Sequence, residues 1–264
     1  NNEDARKGIF TFSDVKEAGI DIKFGAEYKK DDKVEISWNC KLPENVKISK
    51  IELLRSGKPI GAEEILQMQL PVAEVTALPA SGNGKYNDET FGSNYFYYYA
   101  LKITLNNNKI IISDNVGVKI PGKKLSSLAK PSIHIDKKGY TLTVLDNGIP
   151  VKRYPVVMGS KPRKRKLIMD MASTPEGIYE IIVLQPNATY YRAYDINYPN
   201  EIDEFRYKYA SGRGLIQKRD DRIPPIGGEI QIHGKGISYN WTAGCIALRN
   251  EDMDELFAHP EISV

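Results

Sequence analysis

His233 and Cys245 are the residues of this chain whose types and spacing best suit covalent chemistry. A thiol attacks a carbonyl efficiently only as the thiolate, and a nearby imidazole can take its proton. The histidine ends an apolar, β-rich run and is followed by Gly234, while Gly244 directly precedes the cysteine. Glycine lets the backbone turn tightly and aim N–H groups at a developing oxyanion. The pattern therefore indicates acyl transfer by a Cys–His pair, with a buried structural cysteine as the alternative.

Residues 233–248 resemble the active-site signature of the L,D-transpeptidases, the YkuD-type catalytic domain of bacterial cell-wall enzymes. That signature is an apolar strand ending in His-Gly, a variable loop, and then Ser-x-Gly-Cys-apolar-Arg-apolar. Thr242 replaces the serine and keeps its hydroxyl, Ala243 replaces a residue that is often basic or histidine, and Ala247 stands where the family usually has arginine. Arg249 lies two positions later, on the same face of an extended strand as Ala247, and we expect it to substitute.

Three upstream segments resemble further parts of the same domain, so that the resemblance spans residues 131–257. They are a hairpin with an Asn-Gly turn at 142–148, a strand with Gly159-Ser160 at its end, and a Pro-Gly turn leading into a strand at 173–184. Papain-like and NlpC-type peptidases place the cysteine before the histidine, and sortases separate the two more widely. The chain order and short spacing therefore favour the YkuD type.

The resemblance implies a mechanism in which Cys245 attacks the L-centre carbonyl of the third residue of a peptidoglycan tetrapeptide stem and releases D-alanine. His233 acts as the base, the carbonyl of Gly234 orients it, and the N–H groups of Gly244 and Cys245 form the oxyanion hole. An amine of a second stem then gives a 3→3 cross-link. Water as the acceptor makes the protein an L,D-carboxypeptidase, and an amine on a wall-anchored protein is a third acceptor.

The resemblance also implies an exported protein of the periplasm or cell wall whose cysteine is acylated by carbapenems. We expect five residues to bind substrate, namely Ser160, Tyr239, Trp241, Thr242 and Arg249. Tyr207 and Tyr209, with Tyr239 and Trp241, either line a cleft or lid that keeps water from the thioester or pack in the core.

The front half of the chain has short alternating strands separated by turn residues, which is typical of a β-sandwich. Lys33–Trp38, Lys50–Arg55 and the aromatic run Tyr95–Ile103 are such strands. Trp38 on an early strand and the tyrosines on a late one resemble an Ig-like, fibronectin type III domain. The tyrosines are predicted to be half-buried strand residues, with a carbohydrate-stacking platform as the alternative.

The sequence therefore predicts a mainly β chain of two domains, the second with short helices. The predicted boundaries are 1–122 for the sandwich, 123–130 for a linker and 131–264 for the catalytic domain, which we expect to have one further strand beyond residue 264. A start at Asn1, without methionine or signal peptide, fits a mature exported fragment and equally any trimmed chain. The length of 264 residues exceeds the usual size of a single domain.

The formal net charge of +3 is too small to indicate a nucleic-acid partner. Residues 1–122 carry a net charge of −1 and residues 123–264 a net charge of +4, and the excess lies in the basic run 161–166. This run is either a solvated loop or a rim that attracts the carboxylates of stem peptides. The sequence contains no run of about twenty apolar residues, so it predicts no transmembrane segment.

Neither a metal site nor a cofactor is expected. The three histidines are scattered, and the sequence contains no phosphate-binding loop or dinucleotide fingerprint. Cys40 is predicted to be buried beside Trp38, and Cys245 to be free. A function of another class stays open, in which the protein binds the cell wall or mediates adhesion through its sandwich domain and the catalytic fold is only a scaffold.

Overall fold

The structure, a computed structural model, describes residues 9–10, 19–61, 65 and 71–263. Strands dominate it, and the two α-helices bounded within these ranges both lie between residues 201 and 257, so the predicted mainly β fold with short helices in the second half is confirmed. By its internal contacts the chain forms two units, residues 1–124 with 138–141 and residues 125–137 with 142–264. The predicted domain boundaries and the linker 123–130 stay predictions.

The first unit contains two β-sheets. Its strands are β1 (Ile9–Phe10), β2 (Asp21–Lys29), β3 (Lys33–Lys41), β4 (Ile48–Ser56), β5 (Ala73–Leu78), β6 (Asn83–Asp88), β7 (Tyr95–Leu105), β8 (Ile110–Ile112) and β9 (Val116–Ile120). One sheet has the order β1-β8-β7-β4-β5, with β9 also paired to β7, and the other has the order β2-β3-β6. These pairings are antiparallel except for that of β1 with β8.

The core of this unit lies between the two sheets because apolar residues alternate along their strands. On β3, Val34, Ile36, Trp38 and Cys40 are all buried and share one face, as a period of two residues requires. They belong to the same cluster as residues of β4 and β7, which pair in the other sheet. The predicted sandwich is therefore confirmed, and so is the burial of Cys40.

A buried ion pair links this core to the tyrosine strand. Nη1 of Arg55 on β4 donates to Oδ2 of Asp88 at 2.6 Å, and both side chains are almost fully buried. The hydroxyl of Tyr99 donates to the same oxygen at 2.8 Å, while Thr90 donates its N–H and hydroxyl to Oδ1. Burial alone would raise the pKa of Asp88, but the charge of Arg55 and these hydrogen bonds hold it below its ordinary value. Tyr99 is thus a core residue rather than part of a binding platform.

We expect Asp88→Asn to destabilise the protein by about 3–5 kcal/mol, because it leaves the buried guanidinium of Arg55 without its counter-charge. Urea unfolding followed by circular dichroism measures this change. The matched control is Asp31→Asn, which removes an exposed ion pair with Lys33 and should hardly move the unfolding midpoint. Equal shifts in the two variants would contradict the assigned role of the buried pair.

The second unit contains two further sheets and both helices. Its elements are β10 (Pro131–Asp136), β11 (Thr141–Asp146), β12 (Ile149–Pro155), β13 (Ile181–Ala188), β14 (Tyr191–Ile196), α1 (Glu201–Gly212), β15 (Gln231–His233), β16 (Ile246–Ala247), α2 (Asn250–Phe257) and a 3₁₀ turn (Pro260–Ser263). The sheets have the orders β10-β11-β12 and β13-β14-β15-β16.

The predicted hairpin at 142–148 is present as β11, a two-residue turn and β12. Asn147 and Gly148 have φ values of 49° and 78°, which a type I′ turn requires at both central positions. Downstream of this hairpin, Val157 exchanges backbone hydrogen bonds with Ala247, and Gly159 forms a bridge with Thr242. The segment 157–159 is therefore fixed against the loop that carries Cys245. Within the described ranges, no helix has both the length and the apolar character needed to cross a membrane.

Candidate active site

The pairing of β15 with β16 brings His233 and Cys245 to one face of the sheet. These strands are parallel, and Ile232 pairs with Ile246. Both isoleucines are buried on the same face. Because side chains alternate along a strand, His233, which follows Ile232, and Cys245, which precedes Ile246, belong to the opposite face. The sequence predicted that the histidine ends a strand, and β15 ends there.

The imidazole of His233 is held in one orientation. Its Nδ1 lies 2.8 Å from the carbonyl oxygen of Gly234, and because a carbonyl accepts, Nδ1 carries the proton and Nε2 has a free lone pair. The ring is only 1% exposed and contacts both Tyr190 and Trp241, whose ring centroids lie 5.0 and 5.4 Å away and 5.5 Å from each other. The indole N–H of Trp241 donates to the carbonyl of Gly236, which fixes that wall of the site.

Burial lowers the pKa of His233, and the nearby charge of Lys235 lowers it further, against the opposing effect of the hydrogen bond to Gly234. An imidazole whose pKa lies below 6.5 is mostly neutral at pH 7. The residue is therefore in the protonation state that a general base requires.

Cys245 is partly exposed and unpaired, as predicted. Its Sγ donates to the carbonyl oxygen of Glu229 at 3.5 Å. Burial raises the pKa of the thiol, whereas a backbone hydrogen bond from Gln231 and the charge of Lys166 lower it. Across the described residues no hydrogen bond joins Sγ to His233. Because the pKa of the thiol is raised and that of the imidazole is lowered, both groups are neutral at rest. Catalytic hydrogen bonds often form only when substrate is bound.

The loop before Cys245 is shaped by the hydroxyl of Thr242. This hydroxyl donates to the carbonyl of Cys245 at 2.7 Å and accepts from the N–H of Gly244 at 3.3 Å. Gly244 has a φ of 149°, and a Cβ there would lie 2.8 Å from the carbonyl oxygen of Ser173. Only glycine fits this position without moving the neighbouring backbone. The hydroxyl that the sequence assigned to substrate binding thus stabilises the nucleophile loop.

Of the other residues predicted to contact substrate or line a cleft, some lie near this loop and others lie on α1. Ser160 follows Gly159, which bridges to Thr242, and so lies next to the loop. Tyr239 is 54% exposed and lies in the same connection as Trp241. In α1, the hydroxyl of Tyr207 donates to the carbonyl of Pro224, and Tyr209 is exposed on the helix surface.

The expected position of Arg249 on an extended strand with Ala247 is wrong. β16 ends at Ala247, and Arg249 is the N-cap residue of α2. Its guanidinium forms a two-point interaction with Asp252, through Nε at 2.7 Å and Nη2 at 2.8 Å. An acidic residue in the first turn of a helix therefore holds the arginine that the sequence pattern assigned to the strand.

Two residues of the site were missed by the sequence reasoning. Tyr190 contacts His233 from the turn between β13 and β14, with the two rings tilted by 32°. The signal for it is an aromatic pair, Tyr190-Tyr191, between two β-rich runs. Lys166 ends the basic run, but it is only 7% exposed, whereas Lys161, Arg163, Lys164 and Arg165 are exposed. Four members of the run thus form a solvated surface, and the last one is directed inward.

A cavity of about 810 Å³ in this unit does not adjoin the thiol face. It is lined by Ile232 and Ile246, which belong to the opposite face of the sheet, and by residues of β10 and the 174–181 segment. It is therefore separate from the Cys–His site.

Comparison with known proteins identifies the family of the second unit. The YkuD L,D-transpeptidase catalytic domain matches residues 130–262, half of the chain, and the chain therefore belongs to this family. No curated protein matches the chain.

Three solved structures are similar to parts of the chain. An L,D-transpeptidase from Xylanimonas cellulosilytica is 16% identical over 52% of this chain and 57% of its own, with a TM-score of 0.30. An Fn3-like protein from Clostridium thermocellum is 17% identical over 39% of this chain and 93% of its own, with a TM-score of 0.28. A pectate lyase from Pectobacterium carotovorum is 18% identical over 37% of this chain and 26% of its own, with a TM-score of 0.29. These likenesses carry no argument about function.

We expect Thr242→Val to lower the free energy of unfolding by about 1–3 kcal/mol, because the isosteric change leaves a buried carbonyl and N–H without their partner. It should also disorder the nucleophile loop and change the alkylation rate of Cys245. Thermal unfolding and iodoacetamide labelling measure the two effects. Thr242→Ser keeps the hydroxyl and is the matched control, so a serine variant as impaired as the valine variant would argue against these hydrogen bonds.

Proposed function

We propose that the protein is a cysteine-dependent peptidoglycan L,D-transpeptidase that acts on tetrapeptide stems. Membership of the YkuD family supports a cell-wall substrate. The observation that carries the proposal is the hydrogen bond from Nδ1 of His233 to the carbonyl of Gly234, because it leaves Nε2 free to accept a proton. The shared face of His233 and Cys245 supports the transfer of that proton from the thiol.

In the first half-reaction, Sγ of Cys245 attacks the L-centre carbonyl of the third stem residue while Nε2 of His233 takes the thiol proton. The tetrahedral intermediate collapses with cleavage of the C–N bond. The imidazolium then gives its proton to the departing amine of D-alanine, and a thioester remains on Cys245. The carbonyl of Gly234 supports the imidazolium through Nδ1–H, which needs no acidic third residue.

Backbone N–H groups at Gly244 and Cys245 are the proposed oxyanion donors. The N–H of Gly244 already donates to Thr242 at a long 3.3 Å, so it must shift or share this bond when the oxyanion forms. The open φ of Gly244 supports such an adjustment. Loss of one oxyanion donor typically slows acyl transfer by about a hundredfold or more.

In the second half-reaction, the amine of a second stem attacks the thioester and forms a 3→3 cross-link. Tyr190 and Trp241 cover the imidazole, and this apolar cover favours an amine over water as the acceptor. Ser160, Tyr239, Trp241, Thr242 and Arg249 remain proposed contacts of the stem peptide. We assign the protein to the periplasm or cell wall on the same grounds, and carbapenem acylation of Cys245 belongs to this proposal.

The acceptor is tested by incubating purified disaccharide-tetrapeptide with the protein and analysing the products by mass spectrometry. We expect dimers that have lost one D-alanine, because an amine resolves the thioester. Cys245→Ala should give no product, and His233→Ala should reduce turnover by about a hundredfold or more.

Other products decide between the alternatives. Tripeptide monomers alone would make the protein an L,D-carboxypeptidase. Products that form only when a wall-anchored protein supplies the amine would make that protein the acceptor. A folded protein with no product from several stem types would support wall binding by the sandwich domain instead.

The value of kcat/KM for the transpeptidation reaction should fall at acid pH. Because burial lowers the pKa of His233, its neutral form persists below pH 6.5, and kcat/KM should fall only as the pH drops below that value. Initial rates between pH 5 and 8, with circular dichroism to exclude unfolding, measure the acid limb. A midpoint at or above 6.5 would contradict a buried neutral imidazole.

A further inference from the structure

Lys166 is a buried cation at the nucleophile loop. Its side chain is 7% exposed, although the four other basic residues of the run 161–166 are exposed. Burial of an ammonium group is costly unless a counter-charge or hydrogen bonds compensate it. Among the described residues, Nζ of Lys166 has no hydrogen bond and no ion pair within 4 Å.

The ammonium group lies close to the backbone that carries the thiol. A Cβ placed on Gly244, the residue before Cys245, would be 3.6 Å from Nζ of Lys166. Burial lowers the pKa of Lys166, and among the described residues the charges that oppose this effect are those of Cys245 and Asp170. That carboxylate is 72% exposed and faces Arg219 at 3.8 Å, so solvent and a second cation already compensate it. The charge of Lys166 therefore acts chiefly on the thiol, whose pKa it lowers.

The other ionisable groups around Cys245 disfavour a thiolate. Asp195 and Glu229 both raise the pKa of the thiol, and burial raises it more than either. Asp195 is held in place by Gln185 and Gln231, whose amides donate to it. In many Cys–His pairs a protonated imidazole supplies the compensating positive charge. Here His233 is buried and neutral at rest, so that charge must come from elsewhere.

We propose that Lys166 is a positioning residue whose buried ammonium group stabilises the thiolate of Cys245. The thiol proton goes to Nε2 of His233 when substrate is bound, or to water in the free protein, while Lys166 keeps its own proton throughout. Lys166 thus supplies the positive charge, and His233 supplies the base. The inference rests on the proposed role of Cys245 as nucleophile. The positive charge and the proton acceptor, which a single histidine supplies in other Cys–His pairs, belong here to two residues.

The test is the pH dependence of Cys245 alkylation by iodoacetamide in the absence of any stem peptide. Peptide mapping separates Cys245 from Cys40, whose pKa is raised by burial to about 11. We expect Lys166→Met to move the midpoint of the alkylation profile up by about one pH unit, which slows the reaction at pH 7 about tenfold. Lys164→Met removes an exposed charge of the same run and is the matched control, with an unchanged profile expected.

Lys166→Arg separates charge from proton transfer, because a guanidinium is permanently protonated and cannot act as a base. A profile restored toward that of the parent protein supports the proposal. A folded Lys166→Met with an unchanged profile overturns it, and so does an arginine variant as impaired as the methionine variant. If Lys166→Met does not fold, Lys166→Gln takes its place in the same comparison.

The same experiment separates this inference from the proposed function. If cross-linking depends on Cys245 but Lys166→Met leaves the alkylation profile unchanged, the role of Lys166 is overturned and the proposed function stands. A shifted profile in a protein that processes no stem peptide supports Lys166 and counts against transpeptidation.

Discussion

The parallel pairing of β15 with β16 is the constraint on which the site depends, because it sets which residues face the same way. Parallel strands need a long crossover, and the residues between His233 and Ile246 provide one without a helix. A shift of one residue in this register would turn the thiol to the face that Ile232 and Ile246 occupy. Thr242 holds the end of the crossover, and Gly244 lets it approach the backbone at Ser173.

The electrostatics of the site follow from this burial. Burial keeps the imidazole neutral, one carbonyl orients it, and the partly exposed thiol stays protonated until substrate arrives. A buried ammonium group beside the loop offsets the cost of the thiolate at the moment when it forms. The division of roles is consistent with a site that has no acidic residue as the third member of a triad.

Much of the fold and of the site could be predicted from local pattern. The alternation of Val34, Ile36, Trp38 and Cys40 determines one face of the sandwich. In the second unit, Asn147-Gly148 determines the turn between β11 and β12, because both residues tolerate positive φ values. The Cys–His pair was visible because glycines flank it. Such signals are short-range, and they survive in the sequence without knowledge of tertiary contacts.

The remaining features depend on contacts between distant segments. Lys166 looks like its exposed neighbours in sequence, and only the packing of its loop against Gly244 distinguishes it. Tyr190 reaches the imidazole from a hairpin turn whose place beside β15 is set by sheet order. Arg249 was assigned to a strand because its spacing from Ala247 is two, but the helix that begins after it decides its position.

The measurement that tests the central claim most directly is intact mass spectrometry of the protein, acid-quenched shortly after mixing with a tetrapeptide muropeptide. The account predicts a covalent adduct equal to the muropeptide less D-alanine, located on Cys245 and removed by neutral hydroxylamine, as a thioester requires. Turnover without such an adduct, or an adduct that persists in Cys245→Ala, would contradict it.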